Sequence, residues 1–386
     1  MVFRKIQFQL SVLRKWAPRD VALRCRKRPT PTHVMFCLVD HFEPGAGGVP
    51  RDVEKQRMRD LMTRYPKLAD RHRDADGLRP KRTWFFPPHD HRYGHLRELV
   101  SLCAAGYGEI ELHLHHGKSK PDTAEHLEHT LRLCLDEYSQ FGIFGQVQAE
   151  KRYGFIHGDW ALDNSRRHGR FCGVDNELAV LKNTGCYADF TFPSCNEANP
   201  AQINSIYYAR EDGKRKSHNR GTPARVGSGS QNDLLIVQGP LHPILLPGGV
   251  FRLRAFGDDI TWNKPCSRQR VDHWIRTWIH VQDRPDWVFV KVHTHGTIDA
   301  EAVLGPAMDE TFRYLEERYN DGTQYVLHYV TARELYNIVS AAEAGAAGSP
   351  GQYRDYRVTA PRYDATPQIT EASRALSAAV WATYAA

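Results

Sequence analysis

Gly108-Glu109-Ile110-Glu111-Leu112-His113-Leu114-His115-His116-Gly117 opens as a strand and closes in a glycine turn. Ile110, Leu112 and Leu114 fall on one face and Glu109, Glu111, His113 and His115 on the other, the alternation of a pleated strand. Three imidazoles therefore crowd one strand end. Histidine is the commonest neutral metal ligand, and three in four positions behind two carboxylates is dense even among 20 histidines. The competing account is a polar strand end whose histidines meet solvent or carbonyls.

Upstream, His33–Asp40 and Thr83–Phe86 read as strands, and helices are expected from Arg51 to His72 and over Tyr93–Ala105. Glu43-Pro44-Gly45-Ala46-Gly47-Gly48 lacks the spacing of a phosphate loop and reads as a flexible strand-to-helix connection. Downstream, Asp122 with Glu125 three positions later caps a helix to about Gln140. Strands follow at Tyr153–His157, Cys186–Phe192, Leu234–Val237, Trp287–His293 and Tyr325–Val330, with helices near Asn176–Lys182, Arg268–Val281, Ala307–Arg318 and Ala332–Ala344. Strands that are apolar rather than alternating, separated by helices, predict an α/β fold with a parallel sheet or barrel inside its helices. Seven or eight such units predict a (β/α) barrel.

Around this domain, residues 31–345, the chain carries two extensions and an insertion. Residues 1–30 form an N-terminal amphipathic extension: Phe3, Ile6, Leu10, Leu13 and Val12 or Trp16 share a helical face ringed by Arg4, Lys5, Arg14 and Lys15. That face caps the domain's own core or, through residues 1–16, rests peripherally on an anionic membrane. The insertion, residues 196–231, is polar, glycine-rich and basic (Arg210, Lys214, Arg215, Lys216, Arg220, Arg225) and reads as a solvated loop, or as a lid over an anionic glycan. Residues 346–386 are a Gly/Pro/Ala-rich C-terminal tail without assigned chemistry.

With 386 residues, 41% hydrophobic and 25% charged, the chain can bury a large core, and disorder of the whole is excluded. Its net charge of +7 comes without the dense Lys/Arg stripe of a nucleic-acid reader, so no nucleic-acid partner is expected. The eight cysteines form no C-x-x-C pair and read as buried thiols of a reducing compartment. No secretory segment and no apolar run approaching 18 residues is present, so the expected location is cytoplasmic, or peripheral at the inner membrane.

In parallel βα barrels, chemistry gathers at the C-terminal strand ends. The polar residues fall there: Asp40-His41-Phe42-Glu43, His113 to His116, His157-Gly158-Asp159-Trp160, Asp189 to Ser194, and His293-Thr294-His295-Gly296. That register points to a metallohydrolase. Trp160 offers a flat face to a sugar ring, and Asp159, Asp163, Asn164 and Ser165 offer matching donors and acceptors. Asp163-Asn164-Ser165 is equally suited to capping the next turn. His89, Asp90 and His91 fall at the rim, where a substrate role fits better than a ligand role.

These strand ends resemble those of the metal-dependent polysaccharide deacetylases, a family with an irregular (β/α) barrel whose members remove N- or O-acetyl groups from sugars. The resemblance implies that Asp40 is the general base, that His41 and His113 bind one divalent metal, and that His293 or His295 is the general acid. Where the family has a second histidine four positions after the first, this chain has Gly117, so the further ligand comes from His115, His116 or His157. We assign His116 to the metal, and Glu43, His115, His157, Asp159, Trp160, Asp163 and Asn164 to the carbohydrate. A histidine in place of an aspartate at His41 favours Zn²⁺, with Co²⁺ or Ni²⁺ as alternatives. The phrases VDHFEP, GEIELHLHHG, FIHGDWALDNS, INSIYYA, FVKVHTHG and HYVTARELYN are similar to a group of bacterial proteins found with surface-polysaccharide genes, which implies a glycan-modifying role. Two other classes stay open: another metallohydrolase, since His113-x-His115 and His293-x-His295 also resemble the H-x-H pairs of phosphoesterase and amidohydrolase barrels, and a metal-free polysaccharide-binding or assembly protein.

Overall fold

The computed structural model describes residues 2–25, 27–88, 93–228, 233–245 and 253–367. Along the chain, α1 (Val2–Cys25) precedes β1 (Thr32–His41), α2 (Arg51–Ala69), β2 (Arg82–Phe86), α3 (Tyr93–Ala104), β3 (Gly108–Leu114), α4 (Ala124–Tyr138), β4 (Gly145–Val147) and β5 (Glu150–His157). Next come α5 (Glu177–Asn183), β6 (Cys186–Asp189), β7 (Ile206–Ala209), β8 (Gly221–Pro223), β9 (Leu234–Val237), β10 (His242–Leu245), β11 (Leu253–Phe256) and β12 (Asp259–Ile260). The chain continues through α6 (Arg268–Arg276), β13 (Trp287–Thr294), α7 (Ala300–Leu304), α8 (Pro306–Tyr319), β14 (Tyr325–Tyr329) and α9 (Ala332–Glu343).

Twelve of these strands form one mainly parallel sheet in the order β12-β13-β1-β2-β3-β5-β6-β9-β7-β8, with β14 beside β1 and β4 beside β5. The apolar strands named from the sequence are its centre, as burial on both faces requires. Along β1, Val34, Phe36 and Leu38 join the larger core with Leu61 of α2 and Leu99 of α3, whereas Met35, Cys37 and Val39 join a second core with Phe85, Ile156, Phe190 and Leu335. The sheet is curled around that second core. Laid flat, strands about 4.8 Å apart would leave β13 roughly 24 Å from β6. Instead Lys291 Nζ on β13 donates to the carbonyls of Phe190 and Phe192, just past β6, at 3.1 and 2.7 Å.

Three expectations change. The insertion is not all solvated loop: Ile206, Tyr207, Tyr208 and Ala209 are buried, so β7 leaves the polar segment to pair antiparallel with β9, and β8 pairs with β7. The cap of α4 is Thr123, whose Oγ1 accepts from His126 N at 3.2 Å, leaving Asp122 available for other contacts. Helix α6 ends at Arg276, short of Val281. The N-terminal helix covers the protein itself: Val12 packs on Ile203 and Leu241 with Phe8 and Trp16 alongside, while Leu10 stays half exposed. No helix among the described residues is long and apolar enough to cross a membrane. The tail packs first against α9, with the Val358 carbonyl held by Arg333 and Asn337, and then along residues 141–146, where the Arg362 and Asp364 amides donate to the carbonyls of Gly142 and Phe141.

Candidate metal centre

At the C-terminal ends of β1, β3 and β13, five imidazoles converge. The ring of His41 lies 4.8 Å from that of His113, 4.6 Å from His295 and 5.4 Å from His293, and His113 lies 4.7 Å from His115. Glu43 enters from the loop after β1, which Arg57 of α2 holds through the carbonyls of Pro44 and Ala46 at 2.8 and 3.1 Å. Its Oε1 meets His115 Nε2 at 2.8 Å and faces His113 Nε2 at 3.5 Å, and its Oε2 faces His295 Nε2 at 3.9 Å. The glycine-rich stretch is thus a fixed turn at this point.

His113 shows how the chain prepares a ligand. Its Nδ1 lies 2.9 Å from the Ile156 carbonyl, which can only accept, so the proton sits on Nδ1 and the Nε2 lone pair faces the cluster. That buried Nε2 has no hydrogen-bond partner among the described residues. Glu43, His113 and His115 together bring ligand atoms within 4.8 Å of one another, a set that could hold a metal ion. Burial first, then the neighbouring imidazoles, hold His41 well below the ordinary histidine range, and burial pushes His295 down to about 4. Burial opposes ionisation of Glu43, but His113 and His115 outweigh it and hold its carboxyl well below the usual range. Burial also lowers His113, and a neutral His113 beside an ionised Glu43 is the pairing a cation requires. Burial also disfavours a charged His115, yet Asp159, 2.9 Å from Nδ1, and Glu43 raise it above its ordinary value.

His293 is built differently. Its Nδ1 donates to Asp258 Oδ1 at 2.7 Å, and Lys291 Nζ holds the other Asp258 oxygen at 2.8 Å. Nε2 is then the nitrogen available to the site, in an acid–base dyad. Trp160 stands 6.2 Å from His293 and 6.5 Å from His41, ring to ring. It is placed there by consecutive left-handed residues, Asp159 at φ 55° and Trp160 at φ 52°, a conformation costing of order 1–3 kcal/mol per residue. Gly158 makes room, since a Cβ there would stand 2.3 Å from the His115 ring.

Asp40, assigned as the base from the sequence, points the other way. Strand alternation puts it opposite His41, fully buried, with Oδ2 accepting from Arg82 Nη1 at 3.0 Å and Oδ1 from the Gly296 amide at 2.7 Å. Both oxygens are committed, and what they fix is the turn after His295.

His116 also leaves the His113 set. Its Nε2 lies 3.1 Å from Glu177 Oε1 and its Nδ1 2.9 Å from Asp122 Oδ2. His157, assigned to substrate, lies with it: its Nδ1 donates to the Gly158 carbonyl at 2.6 Å and its Nε2 faces Glu177 Oε1 at 3.4 Å. Cys172 Sγ, 3.3 Å from Glu177 Oε2, completes a second set of mutually close ligand atoms, all buried. Burial pushes His157 down to about 4, against the pull of Glu177. Burial opposes a proton on His116 as well, but Cys172, Asp122 and Glu177 hold it well above its usual value. Gly117, at φ 65°, lets the two segments touch, because a Cβ there would stand 2.1 Å from the Cys172 carbonyl.

Asp163 and Asn164 are likewise structural. Asp163 Oδ2 accepts from Ser217 Oγ and from the amide and Nδ1 of His218, at 2.9, 2.9 and 3.0 Å, pinning the insertion, and Asn164 Oδ1 accepts from the Gly173 amide at 3.2 Å. His89, Asp90 and His91 lie outside the described residues. A third grouping, Asp74, Asp76 and His328, already contains a cation, since Arg354 Nη2 lies 3.4 and 2.9 Å from the two carboxylates.

Cys172, Glu177 and Asp258 are the functional candidates that sequence reading did not find. Asp258 and Glu177 sit in segments with no pattern to distinguish them, and Cys172 is one of eight cysteines that all read as buried thiols. No family model and no curated protein matches the chain.

Proposed function

We propose that the protein is a metal-dependent hydrolase, on an irregular (β/α) barrel like that of the polysaccharide deacetylases, removing N- or O-acyl groups from a sugar of a bacterial surface polysaccharide or its precursor. The observation that carries this reading is the buried Nε2 of His113, without a hydrogen-bond partner among the described residues, 3.5 Å from the Glu43 carboxylate and on a ring flanked by His41 and His115. His113 and Glu43, with His115, would hold the ion, and His41 and His295 stand within reach of the same space. Zn²⁺ suits this donor set best, with Co²⁺ or Ni²⁺ as alternatives, and such an ion supplies Lewis-acid polarisation and a more acidic water.

The chain's own residues then divide the proton transfers. His295, with a quarter of its side chain exposed and neutral at pH 7, takes the proton of the attacking water in place of Asp40. His293, oriented by Asp258, returns a proton from Nε2 to the departing alcohol or amine, a contribution of about 10²–10⁴ in rate. Trp160 stacks on the sugar, and Asp159, a third exposed, meets a hydroxyl while it orients His115. Asp40 acts as a positioning residue through Gly296.

Release of acetate from N- and O-acetylated sugars by zinc-loaded protein tests the proposal. Turnover that falls by at least about 10² in His293→Asn, with metal retained, supports it. Hydrolysis of phosphate esters and not of acyl sugars would move the site to the other metallohydrolase class.

A further inference from the structure

We infer that His116, His157, Cys172 and Glu177 bind a second divalent cation of the zinc class, a structural ion that ties the ends of β3 and β5 to α5. Nothing in the hydrolytic proposal requires it, and it rests on different residues.

The spacing fits a four-coordinate ion. Ligands about 2.0–2.3 Å from a tetrahedral metal lie roughly 3.3–3.8 Å from one another. Here Glu177 Oε1 is 3.1 Å from His116 Nε2 and 3.4 Å from His157 Nε2, Cys172 Sγ lies 3.3 Å from the carboxylate's other oxygen, and one ligand atom from each of the four residues lies within 4.8 Å of the other three. Two imidazole nitrogens thus converge on a single carboxylate oxygen. Because the His157 Nδ1–H donates to the Gly158 carbonyl, its Nε2 presents a lone pair to that oxygen. Two lone pairs face each other in a fully buried space, and His157 Nε2 has no hydrogen-bond partner among the described residues. A proton on His116 leaves this unresolved, since it would engage the same oxygen and add nothing between that oxygen and His157. A cation at the centre satisfies all four groups together.

The surroundings are those of a ligand set. Asp122 stands behind His116 at 2.9 Å, the Gly158 carbonyl behind His157 at 2.6 Å, the Val174 amide donates to Cys172 Sγ at 3.4 Å, and the Asp163 amide donates to Glu177 Oε2 at 2.6 Å. His157, Cys172 and Glu177 are each hydrogen-bonded from outside, as metal ligands are, and Asp122 lies close to His116. The ligands come from β5, from α5 and from the two connecting segments, and all four are essentially inaccessible, which suits a closed structural ion rather than one with a position open to substrate.

The test uses the thiolate, which the Glu43 site lacks. Full-length protein produced with Co²⁺ is expected to show thiolate-to-cobalt absorption in the near ultraviolet, one thiolate-bound ion per chain, and the intense visible bands of four-coordinate cobalt. These are expected to persist in His113→Ala, to vanish in Cys172→Ser and to bleach with excess Zn²⁺. Absence of the thiolate band from cobalt-saturated wild-type protein overturns the inference without depending on any variant's folding, as does its survival in Cys172→Ser. For zinc protein as purified, X-ray absorption showing one sulfur at about 2.3 Å, in one of two zinc sites, agrees with the inference, and an all-nitrogen/oxygen shell contradicts it. Acyl-sugar hydrolysis without the thiolate band sinks this site and leaves the proposed function, while the band without any hydrolysis does the reverse.

Discussion

Two histidine clusters meet at the end of β3 and differ in what else they can meet. Around Glu43, His115 and His295 keep 12% and 25% of their side chains exposed, whereas around Glu177 the His116, His157 and Glu177 side chains keep none. The step between them is one residue, from His115 to His116, at a strand end where successive side chains point in opposite directions. One imidazole faces the cleft and the next faces the packed segment of Cys172. Adjacent histidines that look alike in sequence can therefore serve a reaction and a fold respectively, and accessibility separates the two.

Substitutions in either cluster separate the two. The largest expected loss of stability lies beneath the open cluster: Arg82→Met leaves Asp40 a buried charge without its partner and should cost about 3–5 kcal/mol in urea unfolding. A neutral outcome would free Asp40 for another role. In the closed cluster, an ion present at a hundred times its Kd adds about 2.7 kcal/mol. A chelator should lower the unfolding midpoint of the wild type by more than that of Cys172→Ser, which keeps only the open cluster's ion. Equal shifts in both would deny the closed cluster its ion.

Trp160→Ala should act only at the open cluster, raising KM roughly tenfold for the loss of about 1–1.5 kcal/mol of stacking, with kcat little changed. A fall in kcat alone would place Trp160 in the chemistry instead. An effect seen only on changing pH concerns Asp189, linked through Thr191 Oγ1 to the His157 amide. Burial pushes its carboxyl up to about 7, partly offset by Thr191. A raised carboxyl adds stability that is complete below its unfolded pKa near 4 and is lost as pH climbs through 7. Asp189→Asn should flatten that part of the stability–pH curve, measured by thermal melting from pH 4 to 8.

Much of this was legible because apolar strands and glycine turns locate strand ends, and strand ends hold the polar groups. Glu43, His41, His113, His115, His293 and His295 meet as their positions imply. The facing of Asp40 was hidden because β1 is apolar on both faces, so no pattern says whether Asp40 or His41 turns toward the site. The closed cluster was hidden for another reason: Cys172 and Glu177 follow His116 by more than fifty residues, in a loop and a helix start, with no spacing motif to connect them. The sheet strands within the insertion were masked by the charged residues around an apolar quartet, Ile206 to Ala209.

Elemental analysis of purified wild-type protein, His113→Ala and Cys172→Ser counts the ions held by the two clusters. Two equivalents of zinc or a similar ion in the wild type and one in each variant, with hydrolysis lost only in His113→Ala, is the predicted result. Metal content unchanged by His113→Ala would contradict the assignment of the open cluster as the metal centre, and with it the proposed reaction.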